Sequence, residues 1–133
     1  MAEARLEKEL NFMVPDKVGL LNEISKSLAD AGVNIASLTA YEMDGNANFM
    51  MVTSDSAKAK EVLEAKGYKI DTNEVVLYEL ENKVGAMTSM TDKLTAAGVN
   101  MRYLYGTTGA PETPALLVFA SDNNAKAIEV LNS

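Results

Sequence analysis

Two short turns carry the residues with the most definite chemistry in this sequence. Each turn places a glycine, Gly19 or Gly85, directly before a predicted amphipathic helix. The first turn of a helix has unpaired backbone N–H groups and the positive end of the helix dipole, so it can hold a carboxylate. Asp16, or Asn82 in the second turn, is placed to accept from an ammonium group. Together these groups can bind a small molecule that carries both charges.

Two asparagines, Asn34 and Asn100, follow the glycines that end these helices and offer further amide oxygens. Every one of these residues also has a purely structural interpretation. The turn glycines would relieve strain in a tight turn, and the aspartate and asparagine before them would cap a helix. Asn34 and Asn100 would satisfy local backbone groups. The sequence leaves both interpretations open.

The composition excludes most familiar catalytic and metal sites. The 133 residues include no Cys, His or Trp, which excludes thiol and imidazole nucleophiles, zinc fingers, haem ligation through His and disulfides. A formal net charge of −7, from 12 Lys and Arg against 19 Asp and Glu, disfavours nucleic acid and anionic lipid as partners. The sequence shows no signal region and no apolar stretch long enough for a membrane helix. We expect a cytoplasmic protein without metal, cofactor or enzymatic activity.

The chain contains an internal repeat. Residues 16–41 align without a gap to residues 82–107, an offset of 66, with nine identities. Similarity resumes between residues 57–63 and 125–131 at an offset of 68. We therefore expect two units, residues 1–71 and 72–133. The identical positions are Lys17, Val18, Gly19, Leu28, Ala31, Gly32, Val33, Asn34 and Leu38.

The pattern of each unit predicts a ferredoxin-like α+β sandwich. Leu10, Phe12 and Val14 alternate with Glu9, Asn11 and Met13, the period-two pattern of a half-buried strand. Apolar residues at spacings of three and four then predict one face of a helix. The first unit reads βαββαβ, with a hairpin at Asp44-Gly45 and residues 67–70 as its last strand. The expected helix faces are Leu21, Ile24, Leu28 and Ala31 in one repeat and Met87, Met90, Leu94 and Ala97 in the other.

The second unit lacks residues for a last strand after Leu131. Without that strand, one edge of its sheet is predicted to be open, and open edges pair with other chains. We therefore expect a homodimer or a strand exchange at that edge. A shortened chain, or a variant whose edge is covered by a loop, is the alternative interpretation.

The spacing Asp16-x-x-Gly19-x-Leu21, followed by Gly32-Val-Asn-Ile35, resembles the ACT domain, a small ligand-binding module of amino-acid metabolism. The second copy, Asn82-x-x-Gly85-x-Met87 with Gly98-Val-Asn-Met101, extends the resemblance to nearly the whole chain as a tandem pair. Valine precedes both turn glycines, where the family often has proline.

The resemblance implies a non-catalytic regulatory protein that binds an amino acid at the interface between two ACT-like units. The ligand would touch the first loop of one unit and the glycine-asparagine turn of the other. The alternative is a ligand-free interaction module of the same fold that docks on a biosynthetic enzyme. The site residues that the resemblance implies are Asp16, Val18, Gly19, Leu20, Asn34 and Ile35, with Asn82, Val84, Gly85, Ala86, Asn100 and Met101 in the second repeat.

Overall fold

A computed structural model describes residues 3–133 of the chain. Its ten elements alternate as the repeat predicts, and none of the helices among these residues is long and apolar enough to cross a bilayer. The elements are β1 (Ala4–Pro15), α1 (Leu20–Asp30), β2 (Ile35–Met43), β3 (Asn46–Thr53), α2 (Ser56–Ala65), β4 (Asp71–Leu80), α3 (Ala86–Ala96), β5 (Met101–Thr107), β6 (Ala115–Ser121) and α4 (Asn124–Leu131).

The chain divides into two compact units. The first unit is Lys8–Asn73, and the second is Glu74–Ser133 together with the described residues up to Glu7. The long strands β1 and β4 are each divided between the two units. Both units have the ferredoxin-like α+β architecture that the sequence predicts.

In the first unit the strands lie in the order β2-β3-β1 and all pair antiparallel. The predicted hairpin is confirmed, because Asp44 and Gly45 have φ angles of 53° and 82° between β2 and β3. Two residues with positive φ give the tight turn whose twist matches that of the strands. Pro15 pairs with Asn46 at one end of β3, and Ile35 pairs with Thr53 at the other end.

The second unit has the order β4-β6-β5, again antiparallel. The first residues of β1 take the place of its missing last strand beside β4. The N–H of Glu79 donates to the carbonyl of Glu3 at 3.3 Å. Asn132, just after α4, accepts from the Ala4 N–H at 2.7 Å and donates to the Ala4 carbonyl at 2.9 Å.

The expected open edge beside β4 was therefore wrong. Among the described residues no strand follows α4, and a segment more than 120 residues earlier in the sequence lies beside β4. Nothing in the local pattern of residues 124–133 could indicate this pairing, since it joins the two ends of the described chain.

The last strand of the first unit also differs from the expectation. Residues 67–70 are not a strand; hydrogen-bonded extended backbone begins at Asp71 and continues unbroken to Leu80. Gly67, at φ 92°, closes the turn after α2. Ile70 still packs into the core. The prediction that this segment contributes to the core was therefore right, and the prediction that its backbone forms a strand was wrong.

Each unit packs two helices against one face of its strands. The buried residues of α1 are Leu20, Ile24 and Leu28, a stripe with a spacing of four. Because α1 begins directly after Gly19, Leu20 faces the core and Leu21 is 45% exposed. The expected inward position of Leu21 was therefore wrong, and so was that of Met87, its counterpart on α3.

Side-chain caps fix the starts of the two short helices. Asp55 accepts from the Lys58 N–H at 3.0 Å before α2. Asn123 accepts from the Lys126 N–H at 3.1 Å before α4. The sequence offers Asp55 or Ser56 as the cap of α2 and Asp122 or Asn123 as the cap of α4, and the structure selects Asp55 and Asn123. Such a bond satisfies one of the donors that a helix start leaves unpaired.

The Asn132→Ala variant tests the contribution of the replaced strand. It removes both side-chain hydrogen bonds to Ala4, so we expect the free energy of unfolding to fall by about 1–2 kcal/mol. Urea denaturation followed by circular dichroism measures this change. Asn22→Ala, at an exposed helix position, should stay within about 0.5 kcal/mol of wild type; equal losses in the two variants would contradict the role of Asn132.

Candidate functional site

A glycine in the left-handed conformation begins both of the first helices. Gly19 and Gly85 are the N-caps of α1 and α3, with φ angles of 84° and 87°. A Cβ would meet no atom within 4 Å at either position. The backbone angle alone therefore requires glycine, because side-chain-bearing residues are strained there.

Four backbone N–H groups close together in the first turn have no acceptor. The N–H of Leu20 donates to Lys17 at 3.3 Å, and that of Glu23 donates to Gly19 at 2.9 Å. From Val18 to Asn22, four exposed residues have backbone N–H groups with no acceptor within residues 3–133. They are Val18, Gly19, Leu21 and Asn22.

The second turn repeats this arrangement. The N–H of Ala86 donates to Lys83 at 3.2 Å, and that of Ser89 donates to Gly85 at 3.0 Å. Within the described part of the chain, the free N–H groups are again at four exposed positions: Val84, Gly85, Met87 and Thr88. Oriented N–H groups at the positive end of a helix dipole form an anion-binding arrangement.

The aspartate and asparagine before the turns do not cap the helices. Neither α1 nor α3 has a side-chain hydrogen bond at its N-cap. Asp16 is exposed, and its carboxylate has no hydrogen bond or ion pair to any described residue. Its backbone N–H donates to the carbonyl of Gly45 at 2.9 Å, which ties the turn to the β2–β3 hairpin.

A groove of about 310 Å³ lies against the turn of the first unit. Its lining includes Asp16, Gly19 and the start of α1, together with Ala40–Glu42 of β2. Residues 40–42 at this end of β2 are not among the predicted site residues. The hairpin at Asp44-Gly45 could have indicated it, because a tight hairpin beside the end of β1 brings the end of β2 to the same place.

The two parts of the expected site lie at opposite ends of each unit. The N–H of Asn34 donates to the Ser54 hydroxyl at 2.9 Å, and its carbonyl accepts from the Ser54 N–H at 2.8 Å. Ile35 pairs with Thr53 at that end of β3, whereas the turn lies at the Asn46 end. The eight residues of β3 separate the ends by about 23 Å.

The second unit shows the same separation. Asn100 bonds to Asp122 through its N–H and its carbonyl, each at 3.0 Å. Met101 pairs with Ser121, and Leu80, just before the turn, pairs with Ala115 at the far end of β6. In both units, therefore, no single ligand of amino-acid size can touch the glycine turn and the asparagine of the same unit.

The charges beside the two turns differ. Lys17 pairs with Glu23 of α1 at 2.9 Å, and this hydrogen bond and charge raise the pKa of Lys17 and lower that of Glu23. Lys83 pairs at 2.7 Å with Glu81, whose hydrogen bond and charge likewise raise the pKa of Lys83. The partner changes because Ser89 stands at the α3 position that matches Glu23.

The side chains around the turns are strongly divided between core and solvent. Leu20 and Ala86 are buried. Val18 and Val84, on the other side of each glycine, are fully exposed. Leu21 and Met87 on the first helical turns are also exposed, so each set of free N–H groups has apolar side chains at its border.

The chain belongs to the ACT domain pair family, whose model matches residues 6–133. ACT domains are regulatory amino-acid-binding modules. Among solved structures, protein BT0572 from Bacteroides thetaiotaomicron is 28% identical, with a TM-score of 0.87 over 97% of this chain and 88% of that chain. A search of curated proteins gave no match.

More distant structures share the fold alone. The ligand-free regulatory subunit of aspartate kinase from Thermus thermophilus has 14% identity and a TM-score of 0.67, over 98% of this chain and 94% of that chain. Aspartate kinase from Synechocystis has 19% identity and a TM-score of 0.69, over 98% of this chain and 26% of that chain. Within residues 3–133, no group of three or more acidic side chains is placed to hold a metal ion.

Alanine at the turn glycines tests the strain argument. Gly19→Ala and Gly85→Ala should each lower the free energy of unfolding by about 1 kcal/mol, because alanine is disfavoured at these φ angles. Gly109 does not have positive φ and a Cβ there meets only ordinary contact, so Gly109→Ala is the matched control. Urea denaturation of the three variants makes the comparison; a neutral effect at both turns would show that the left-handed conformation is not required.

Proposed function

We propose that this protein is a non-catalytic amino-acid sensor whose ligand binds at the glycine turns. One observation carries the proposal: both repeats present four exposed, unbonded N–H groups at the start of a helix that begins with a left-handed glycine. A capping side chain would stabilise each helix start better than glycine does. The fold alone therefore gives no reason to repeat an uncapped helix start in both units. The carboxylate of the ligand binds these N–H groups.

The ammonium group of the ligand needs acceptors close to the turn. In the first unit the unpaired carboxylate of Asp16 lies on the groove beside Gly19, and Glu42 lies on the opposite wall. In the second unit the matching residue is the neutral Asn82. A charged acceptor binds ammonium more strongly than an amide does, so we propose that the first site has the higher affinity.

The remaining residues of the proposed site come from another ACT unit. Since Asn34 and Ile35 lie about 23 Å from the turn of their own unit, they can contact a ligand only at the turn of a different unit. Asn100 and Met101 are placed in the same way. We propose a homodimer in which units of two copies meet at the turns, with Val18, Leu20, Val84 and Ala86 bordering the ligand.

Binding at such an interface would stabilise one arrangement of the units and thereby change what the protein docks against. A ligand shifts this equilibrium only by the difference between its affinities for the two states. The docking partner proposed is a cytoplasmic enzyme of amino-acid metabolism, in keeping with the regulatory subunits that share the fold.

A second function is an interaction module that needs no ligand. The fully exposed Val18 and Val84 favour it, because apolar side chains at both turns suit a protein surface as well as a small molecule. In that case binding to an enzyme would be insensitive to free amino acids.

Thermal unfolding in the presence of each of the twenty amino acids tests the sensor proposal. A ligand at 100 times its dissociation constant should stabilise the fold by about 2.7 kcal/mol. Gly19→Asp should abolish most of this stabilisation, because its carboxylate repels that of the ligand. Gly85→Asp should have the smaller effect if the first site is the stronger one.

Gly67→Asp is the matched control. Gly67 also has a left-handed φ, 92°, with open space around it, but it lies after α2 and its N–H already donates to the Glu64 carbonyl at 2.9 Å. It should retain the full ligand response. The proposal fails if no amino acid stabilises the wild-type protein.

Sedimentation velocity of Val18→Asp, Val84→Asp and the double variant tests the proposed homodimer. Burying a carboxylate in place of an apolar side chain should raise the dimer dissociation constant roughly tenfold or more. Leu6→Asp, another exposed apolar position, is the control and should dimerise like wild type. A wild-type protein that remains monomeric at high concentration contradicts the homodimer.

A further inference from the structure

Methionine is the only sulfur-containing residue of this chain. The sequence has eight methionines and no cysteine, so a peroxide that oxidises sulfur here must act on a thioether. Oxidation turns the flexible, apolar side chain into a polar sulfoxide. The peroxide needs direct access to the sulfur atom, so exposure decides which methionines react first.

The described methionines differ widely in exposure. Within residues 3–133, Met13, Met43 and Met87 are exposed, at 61%, 57% and 42%. Met51 and Met90 are buried, at 0% and 1%, and the other two are half-buried. Peroxide should therefore reach three methionines of the folded protein first and spare the two core ones.

Met87 is the exposed methionine that belongs to a glycine turn. It is the second residue of α3, two positions after Gly85, and its own N–H is one of the four without an acceptor in the described part of the chain. Side chains of a helix lean toward its N-terminus. We therefore expect the thioether of Met87 to extend over the turn, toward the free N–H groups of Val84 and Gly85.

Oxidation changes what this side chain can do at the turn. A thioether sulfur is only a weak acceptor, so Met87 in its reduced form leaves the neighbouring N–H groups available. A sulfoxide oxygen carries partial negative charge and accepts hydrogen bonds, and the positive end of a helix dipole favours negative charge. The oxidised side chain would therefore compete with a carboxylate for the same donors.

The first glycine turn lacks this chemistry. Leu21 stands at the position that matches Met87, with nearly the same exposure, 45%, and this turn has the same pattern of free N–H groups. Leucine has no sulfur for a peroxide to oxidise. One chain therefore holds an oxidisable turn and a matched turn that cannot be oxidised.

We propose that oxidation of Met87 closes the second glycine turn to its ligand. The sulfur lone pair attacks one oxygen of hydrogen peroxide or another hydroperoxide, the O–O bond breaks, and an S–O bond forms. The proton on the transferred oxygen passes to the leaving oxygen, which departs as water or an alcohol. Sulfur loses two electrons, and the peroxide gains them. The sulfoxide oxygen then accepts from the free N–H of Val84 or Gly85.

As regulation of amino-acid binding, this inference rests on the proposed function. The oxidation of Met87 and the hydrogen bond that follows it do not. Both are measured without an amino acid, so their failure is distinct from a failure of the wild-type protein to bind one.

Hydrogen peroxide treatment of the full-length, folded protein tests the first step. Peptide mass spectrometry should find Met87 oxidised at a rate within about threefold of that of Met13, and at least about tenfold faster than Met51 or Met90. If Met87 stays reduced while Met13 is oxidised, the proposal is wrong.

NMR spectra of the oxidised, ¹⁵N-labelled protein test the second step. The amide proton of Val84 or Gly85 should shift downfield and exchange with solvent about fivefold more slowly, because it gains an acceptor. The Val18 and Gly19 amides of the first turn should not change. Unchanged amides at the second turn after Met87 is oxidised would overturn the proposal.

Met87→Leu gives the second turn the residue of the first turn. After peroxide treatment, the Val84 and Gly85 amides of this variant should match those of the untreated variant. Met13→Leu, which removes an exposed methionine from β1, should respond like wild type. Thermal unfolding midpoints identify any variant that fails to fold. Equal amide changes in oxidised wild type and oxidised Met87→Leu would exclude Met87 as their cause.

Discussion

The left-handed backbone of Gly19 and Gly85 is the constraint on which the rest of each turn depends. It sets the point at which each helix starts and thus which residues face the core. Leu20 turns inward because it directly follows Gly19, and Leu21 and Val18 remain in solvent. The same geometry leaves the first N–H groups of the helix without acceptors. The left-handed glycine therefore determines both how each helix packs on the core and which N–H groups form the candidate binding surface.

The length of β3 and β6 determines how the proposed sites can be assembled. Each strand holds the glycine turn at one end and the asparagine turn at the other. The backbone groups of Asn34 and Asn100 bond to Ser54 and Asp122, respectively, just before β2 and β5 begin. Asn34 and Asn100 therefore lie at the opposite end of their unit from its glycine turn.

The two repeats carry different charges beside turns of the same backbone conformation. Gly19 and Gly85 have φ angles of 84° and 87°, whereas the neighbouring residues are Asp16 and Glu23 in one repeat and Asn82 and Ser89 in the other. The repeat therefore preserves the backbone of the turn and varies the charge around it.

Local features of the fold were predictable from the sequence, and long-range ones were not. The Asp44-Gly45 hairpin, the Asp55 and Asn123 caps and the helix ends at Gly32 and Gly98 each depend on a few adjacent residues. The phase of α1 was missed because Leu20 and Leu21 are both apolar, and only the exact start of the helix decides between them. The candidate turn residues were found through the repeat, but the groove wall at Ala40–Glu42 depends on how the hairpin folds beside β1.

The contact between Ala4 and Asn132 also has a consequence for folding. These two residues are 128 positions apart in the sequence, and closing so long a loop costs conformational entropy and slows folding. Until the first residues of β1 lie beside β4, the edge of β4 has unpaired backbone groups that can pair with another chain. Aggregation should therefore compete with refolding most strongly at high protein concentration.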